Sequence, residues 1–91
     1  MSEYVIIARG FASGAPCNHE GMYLQNFDHD AFNGQGWGTF TPKRSRARRF
    51  ADQLAAIDFW KQQSTVRPLR PDGEPNRPMT ALTVEIAPLE D

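Results

Sequence analysis

Three groups of residues in this 91-residue chain carry side chains able to do chemistry. The first is Cys17, His19 and His29, with Asp28 and Asp30 flanking the second histidine. Thiolate, imidazole and carboxylate are the ligands that zinc takes in tetrahedral sites. The spacing argues against such a site. Cys17-x-His19 is shorter than the usual two-residue gap, and there is no second cysteine or third histidine. Nucleophilic catalysis by Cys17 needs a base in hydrogen-bond contact and a group that orients the base, and nearness in sequence supplies neither. No metal and no cofactor are expected, and Cys17 reads as a free thiol in a loop.

The second group is Gly34-Gln35-Gly36-Trp37-Gly38. A phosphate-binding loop follows a strand and opens a helix, so that backbone N–H groups converge on the anion. Here a strand-like stretch follows the glycines, which therefore read as turn or bulge positions.

The third group is a block of positive charge. Lys43, Arg44, Arg46, Arg48 and Arg49 place five cations within seven residues, with no acid among them. Arginine forms paired hydrogen bonds to phosphate or carboxylate and stacks on bases. The block is a candidate surface for nucleic acid or for an acidic protein partner. The bland alternative is a solvated face balanced by acids elsewhere, such as Glu85, Glu90 and Asp91.

These groups are held by elements that the hydrophobic pattern marks. From Thr41 to Ser64 the chain turns from the basic block into its one clear amphipathic helix. Phe50, Leu54 and Ile57 follow the i, i+4, i+7 spacing of one helical face. Two readings compete for the start. Thr41-Pro42 supports one helix from 42 to 63. Alternatively 42–47 is a single turn, 48–50 is extended, and Asp52 caps a second helix running to Ser64. With Phe50, Leu54 and Ile57 turned inward, Phe59 falls on the opposite side of the wheel. It is then a candidate interface anchor, to which Trp37 and Tyr23 add if they lie on the outer face of a sheet.

Tyr4–Arg9 is β-branched and reads as a central strand. Residues 21–27 read as a second strand, and Trp37–Thr41 as a short third. The stretch 66–78 holds four prolines and Asp72-Gly73, marking an exposed connection with a turn at its middle. In 79–88, Leu82, Val84 and Ile86 alternate with Thr83 and Glu85, as in a sheet with one buried face. The order β-β-(β)-α-β implies an α+β fold: one main helix across an antiparallel sheet of three or four strands, in a single domain spanning 1–91. Leu54, Ile57, Val84 and Ile86 are the expected core.

Gly21-Met22-Tyr23-Leu24, Trp37-Gly38-Thr39 and Ala47-Arg48-Arg49-Phe50 before an Ala-rich helix resemble features of many small uncharacterised bacteriophage and prophage proteins. The similarity covers roughly residues 4–64. It implies a fold and a genomic setting, with no activity and no functional residue to carry over. The prolyl stretch before the last strand departs from the compact connection expected of them.

The composition sets the remaining bounds. A net charge of −1 argues against a general nucleic-acid coat or a polybasic membrane binder. No apolar run approaches a membrane span, and the opening residues lack the pattern of a signal peptide. One cysteine excludes an internal disulfide and makes the cytoplasm the default compartment. The expectation is a non-enzymatic small module that binds an unknown protein partner, with nucleic-acid binding through 43–49 as the alternative. An exposed Phe59 or a free sheet edge favours a homodimer.

Overall fold

The computed structural model of the protein describes residues 3–89. Four strands, β1 (Glu3–Phe11), β2 (Tyr23–Asp28), β3 (Trp37–Thr41) and β4 (Leu82–Leu89), form one antiparallel sheet in the order β3-β2-β1-β4. A single turn, α1 (Ala31–Gly34), joins β2 to β3, and the main helix, α2 (Gln53–Trp60), precedes β4. The α+β architecture with one principal helix is as expected.

The β-branched run of β1 sits at the centre of the sheet. It pairs with β4 from Glu3↔Leu89 to Phe11↔Leu82, with a register shift between Ala8 and Gly10. Its ladder with β2 is narrow and rests on Ile7↔Tyr23. Beyond that point the segment Ala47–Phe50 ties the two strands together. Arg48 N donates to the Leu24 carbonyl (2.9 Å), while Phe50 and Tyr4 exchange both backbone bonds (2.9 Å each). Ala47 and Phe50 bury their side chains.

This placement settles the competing helix starts. Arg44–Arg46 is one 3₁₀ turn, Arg48 to Phe50 is extended, and Asp52 caps α2 by accepting from Ala55 N (2.8 Å). The helix ends at Trp60, short of Ser64. At 1.5 Å per residue it is about 12 Å long.

The inward face of α2 is not the expected one. Leu54 is 65% exposed and Ile57 only half-buried, whereas Ala56 is fully buried and Phe59 and Trp60 pack on the core. The reason is the state of Phe50. Counting i, i+4, i+7 from Phe50 fixes a helical face only if Phe50 is helical, and it lies in an extended bridge to Tyr4. The true stripe is Ala56, Phe59 and Trp60, at i, i+3 and i+4. Phe59 therefore belongs to the interior packing and is not an exposed anchor.

The core comprises Ile6, Leu24, Phe50, Ala56 and Met79, with Phe27, Phe40, Phe59, Trp60, Val84 and Ile86 packed against it. Val84 and Ile86 are half-buried, because β4 is an edge strand that α2 covers only in part. Trp60 Nε1 donates to the Leu82 carbonyl (3.0 Å) and fixes the end of α2 to the start of β4. The first residues of the expected last strand, Met79 to Ala81, lie in a 3₁₀ turn instead, where Pro78 stands in the first turn. The prolyl connection turns at Asp72-Gly73, with Gly73 N donating to the Arg70 carbonyl (2.9 Å).

Candidate functional site

The aromatic side of the β2–β3 hairpin forms one wall of an open cleft of about 220 Å³. Phe27 from β2 and Phe40 and Trp37 from β3 line that wall. Phe11 and Leu82, paired where β1 meets β4, also line the cleft, as do Cys17 and His19 of the β1–β2 loop. The His19 ring stacks on Phe40, with centroids 4.6 Å apart.

The glycines beside Trp37 make this wall possible. A Cβ on Gly36 would lie 2.7 Å from Phe27 Cζ, and one on Gly38 would lie 2.9 Å from Phe27 Cδ2 and from Phe40 Cε1. Both rings rest directly on the β3 backbone where a side chain would stand. Gly36 also takes a φ of 87°, which only glycine adopts freely.

Trp37 is 60% exposed at the rim, and Phe32 beside it is 66% exposed. Their rings meet edge to face at 5.7 Å. Phe11, 41% exposed, adds a third aromatic surface. Phe32 and Asn33 are left-handed, with φ of 53° and 57°. Non-glycine residues pay about 1–3 kcal/mol each for such a conformation.

The structure on either side of this turn holds it in place. The Asp30 carboxylate accepts from Thr65 Oγ1 (2.6 Å), Thr65 N (2.7 Å), Ser64 Oγ (2.9 Å) and Val66 N (3.3 Å). These bonds, led by the Thr65 hydroxyl, lower its pKa to about 2. At the other end, Asn76 Nδ2 donates to the Gly34 carbonyl (2.7 Å) and to the Arg67 carbonyl (2.8 Å). Next to Asp30, His29 is buried edge-on against Phe27 and Phe59 and donates from Nε2 to the Phe59 carbonyl (3.1 Å). Burial lowers its pKa, against the opposing pull of that carbonyl and of Asp30 and Asp28.

The basic block does not form one helical face. Arg48 is spoken for: its guanidinium lies 4.5 Å from the centre of the Phe59 ring and donates to Asn26 Oδ1 (3.1 Å). Arg49 pairs with Glu3 (3.5 Å). Lys43, Arg44 and Arg46 are exposed and make no ion pair among the described residues. They follow β3 directly, at the end opposite Trp37. Tyr23 is half-buried on β2, across from Thr41.

The first group named from the sequence is divided. Cys17 and His19 lie at the cleft, and His29 is in the core. Among the described residues no three His, Cys, Asp or Glu side chains stand close enough to hold a metal ion, and no helix is long and apolar enough to cross a membrane. Of the expected interface aromatics, Trp37 stands at the rim and Phe59 is inside. Phe11, Phe32, Phe27 and Phe40 were not singled out as site residues in the sequence. Spacing gives no sign of them, because they come from separate elements. Comparison with protein-family models, with curated proteins and with solved structures gives no match.

Proposed function

We propose that this protein is a small non-enzymatic module that binds another protein through the aromatic cleft and its rim. The carrying observation is the exposed Phe32–Trp37 pair, in which Phe32 sits on a strained turn held by a dense hydrogen-bond network and Trp37 opens β3. Exposed apolar surface ordered at an energetic cost marks an interaction site. Tryptophan and its aromatic neighbours supply much of the binding energy at protein interfaces. Among the described residues the cleft is lined mainly by aromatic and apolar side chains, which suit the docking of an apolar partner surface. The likeness to small phage and prophage proteins fits an accessory module acting on a host or phage partner. The lone thiol Cys17 fits a reducing, cytoplasmic compartment.

Nucleic-acid binding is the second reading, supported by the exposed Lys43, Arg44 and Arg46. It is the weaker one, since Arg48 and Arg49 have intramolecular partners and the net charge of −1 gives no long-range attraction to phosphate. Affinity capture from host extract with the native chain and with Trp37→Ala separates the two, run beside electrophoretic shifts at low and high salt. The expected result is a protein retained by the native chain and lost with Trp37→Ala, and no shift of nucleic acid. A tight complex that weakens steeply with salt, and disappears in the Arg44→Glu, Arg46→Glu variant, would reverse the ranking.

A further inference from the structure

We propose that the cleft receives an extended peptide of a partner protein, added as a fifth strand along the free edge of β3. An aromatic side chain of the peptide enters the cleft, and acidic residues of the peptide lie beside Lys43, Arg44 and Arg46. This inference rests on the protein-binding reading and specifies the chemistry of the partner.

Three observations converge on β3. It is one of the two edge strands of the sheet and pairs with β2 alone. Among the described residues, no backbone bond from any other segment reaches Trp37–Thr41. A strand edge in this state is a template for another chain.

The same strand also lines the cleft, through Trp37, Gly38 and Phe40. Side chains of a strand alternate between faces, so Gly38 and Phe40 share the cleft face, while Trp37, at the first position of β3, has the other parity and stands at the rim. A peptide paired with β3 likewise directs every second residue to the cleft side. Main-chain bonds then give affinity, and the cleft selects the side chain.

Charge supplies the third observation and marks the end of β3 that acidic residues of the peptide meet. β3 ends at Thr41 and leads within two residues into Lys43, Arg44 and Arg46, which are exposed. Trp37 marks the other end of the five-residue strand. A peptide running antiparallel to β3 brings its first residues to the cations and residues about six or more positions later to Trp37, at a rise of roughly 3.3 Å per residue. The pattern recognised is a cluster of Asp or Glu followed at that distance by Phe, Tyr or Trp. Complementary charge on the partner also speeds association.

The test pans a random-peptide display library against the full chain and synthesises the enriched consensus. Enriched sequences are expected to carry acids upstream of an aromatic residue. The consensus peptide should shift the Trp37 indole signal in NMR spectra and slow amide exchange across Trp37–Thr41. Lys43→Glu with Arg44→Glu should weaken binding roughly tenfold at low salt, and Trp37→Ala should abolish it. Melting curves of these surface variants check that the fold is kept. If enriched peptides need Trp37 but lack acids, ignore the charge reversal or leave the β3 amides exchanging freely, strand addition is wrong and the cleft remains a protein-binding site. If no peptide is enriched, strand addition is also wrong, and the capture comparison with Trp37→Ala alone judges the broader reading. If binding survives Trp37→Ala, both fail.

Discussion

At the scale of single residues, the informative positions are those that break a local rule. Phe32 has a left-handed backbone and an exposed ring, two features that ordinarily select against phenylalanine. A residue there that served stability alone would be glycine. Phe32→Gly removes the backbone cost of about 1–3 kcal/mol and gives up only a rim contact with Trp37. The expected outcome is a melting temperature no lower than that of the native chain, together with weaker partner binding. A clear loss of stability would show that Phe32 is there for packing. Asp30 breaks a rule of another kind. One carboxylate gathers four donors from three consecutive residues, so the approach to the cleft is organised around a single side chain.

At the scale of elements, α2 is too short to cover the sheet. Eight residues span about 12 Å, and the helix packs on β1 and β4. The aromatic side of the β2–β3 hairpin is left to line the cleft. The face that α2 turns inward makes a sharp contrast between two leucines. Leu24→Ala removes a fully buried side chain from the centre of the core and should cost about 2–5 kcal/mol, because transfer and cavity terms add. Leu54→Ala trims an exposed residue and should change stability by less than about 0.5 kcal/mol. Denaturant unfolding of the two variants checks this. Equal losses would restore the helical face counted from Phe50.

At the scale of the whole molecule, two neighbouring groups couple stability to pH. His29 has a folded pKa below its ordinary 6.5, with burial the main cause. The unfolded chain takes up a proton that the folded chain resists. The contribution of His29 is complete above 6.5 and is lost as pH falls through the folded value. Asp30 has a folded pKa of about 2 against an ordinary 3.8. Its contribution is complete above 3.8 and is lost as pH falls toward 2. Acid should therefore destabilise the protein in two stages, the first below pH 6.5 and the second below 3.8. Thermal melts across this range check the sequence of events. His29→Gln should flatten the first stage and Asp30→Asn the second, and a native profile flat from neutral pH down to 4 would contradict a buried neutral His29. Both groups tie β2 to the end of α2 and the residues after it, so the order of the cleft should follow the same profile.

Four features were legible in the sequence by itself: the fold class, the strands at 4–9 and 37–41, and the turn at Asp72-Gly73, whereas the cap at Asp52 was one of two alternatives that the structure resolved. These four depend on local matters: β-branched runs and turn chemistry. Alternation along Leu82, Val84 and Ile86 marked their shared face for the same reason. It also named Trp37 and the cations after Thr41. It left open whether 42–63 was one helix or two, since a basic stretch with helix-compatible residues scores alike in both. Only tertiary structure decided that question, through the bridge of Phe50 to Tyr4, and with it which face of α2 points inward. A helical stripe is legible only when its first member is known to be helical, and pairing with a strand more than forty residues away removed Phe50 from the helix. The cleft was hidden for a related reason. Its walls come from β1, β2, β3, β4 and the loop at Cys17, and no periodicity along the chain brings together residues that meet only in three dimensions.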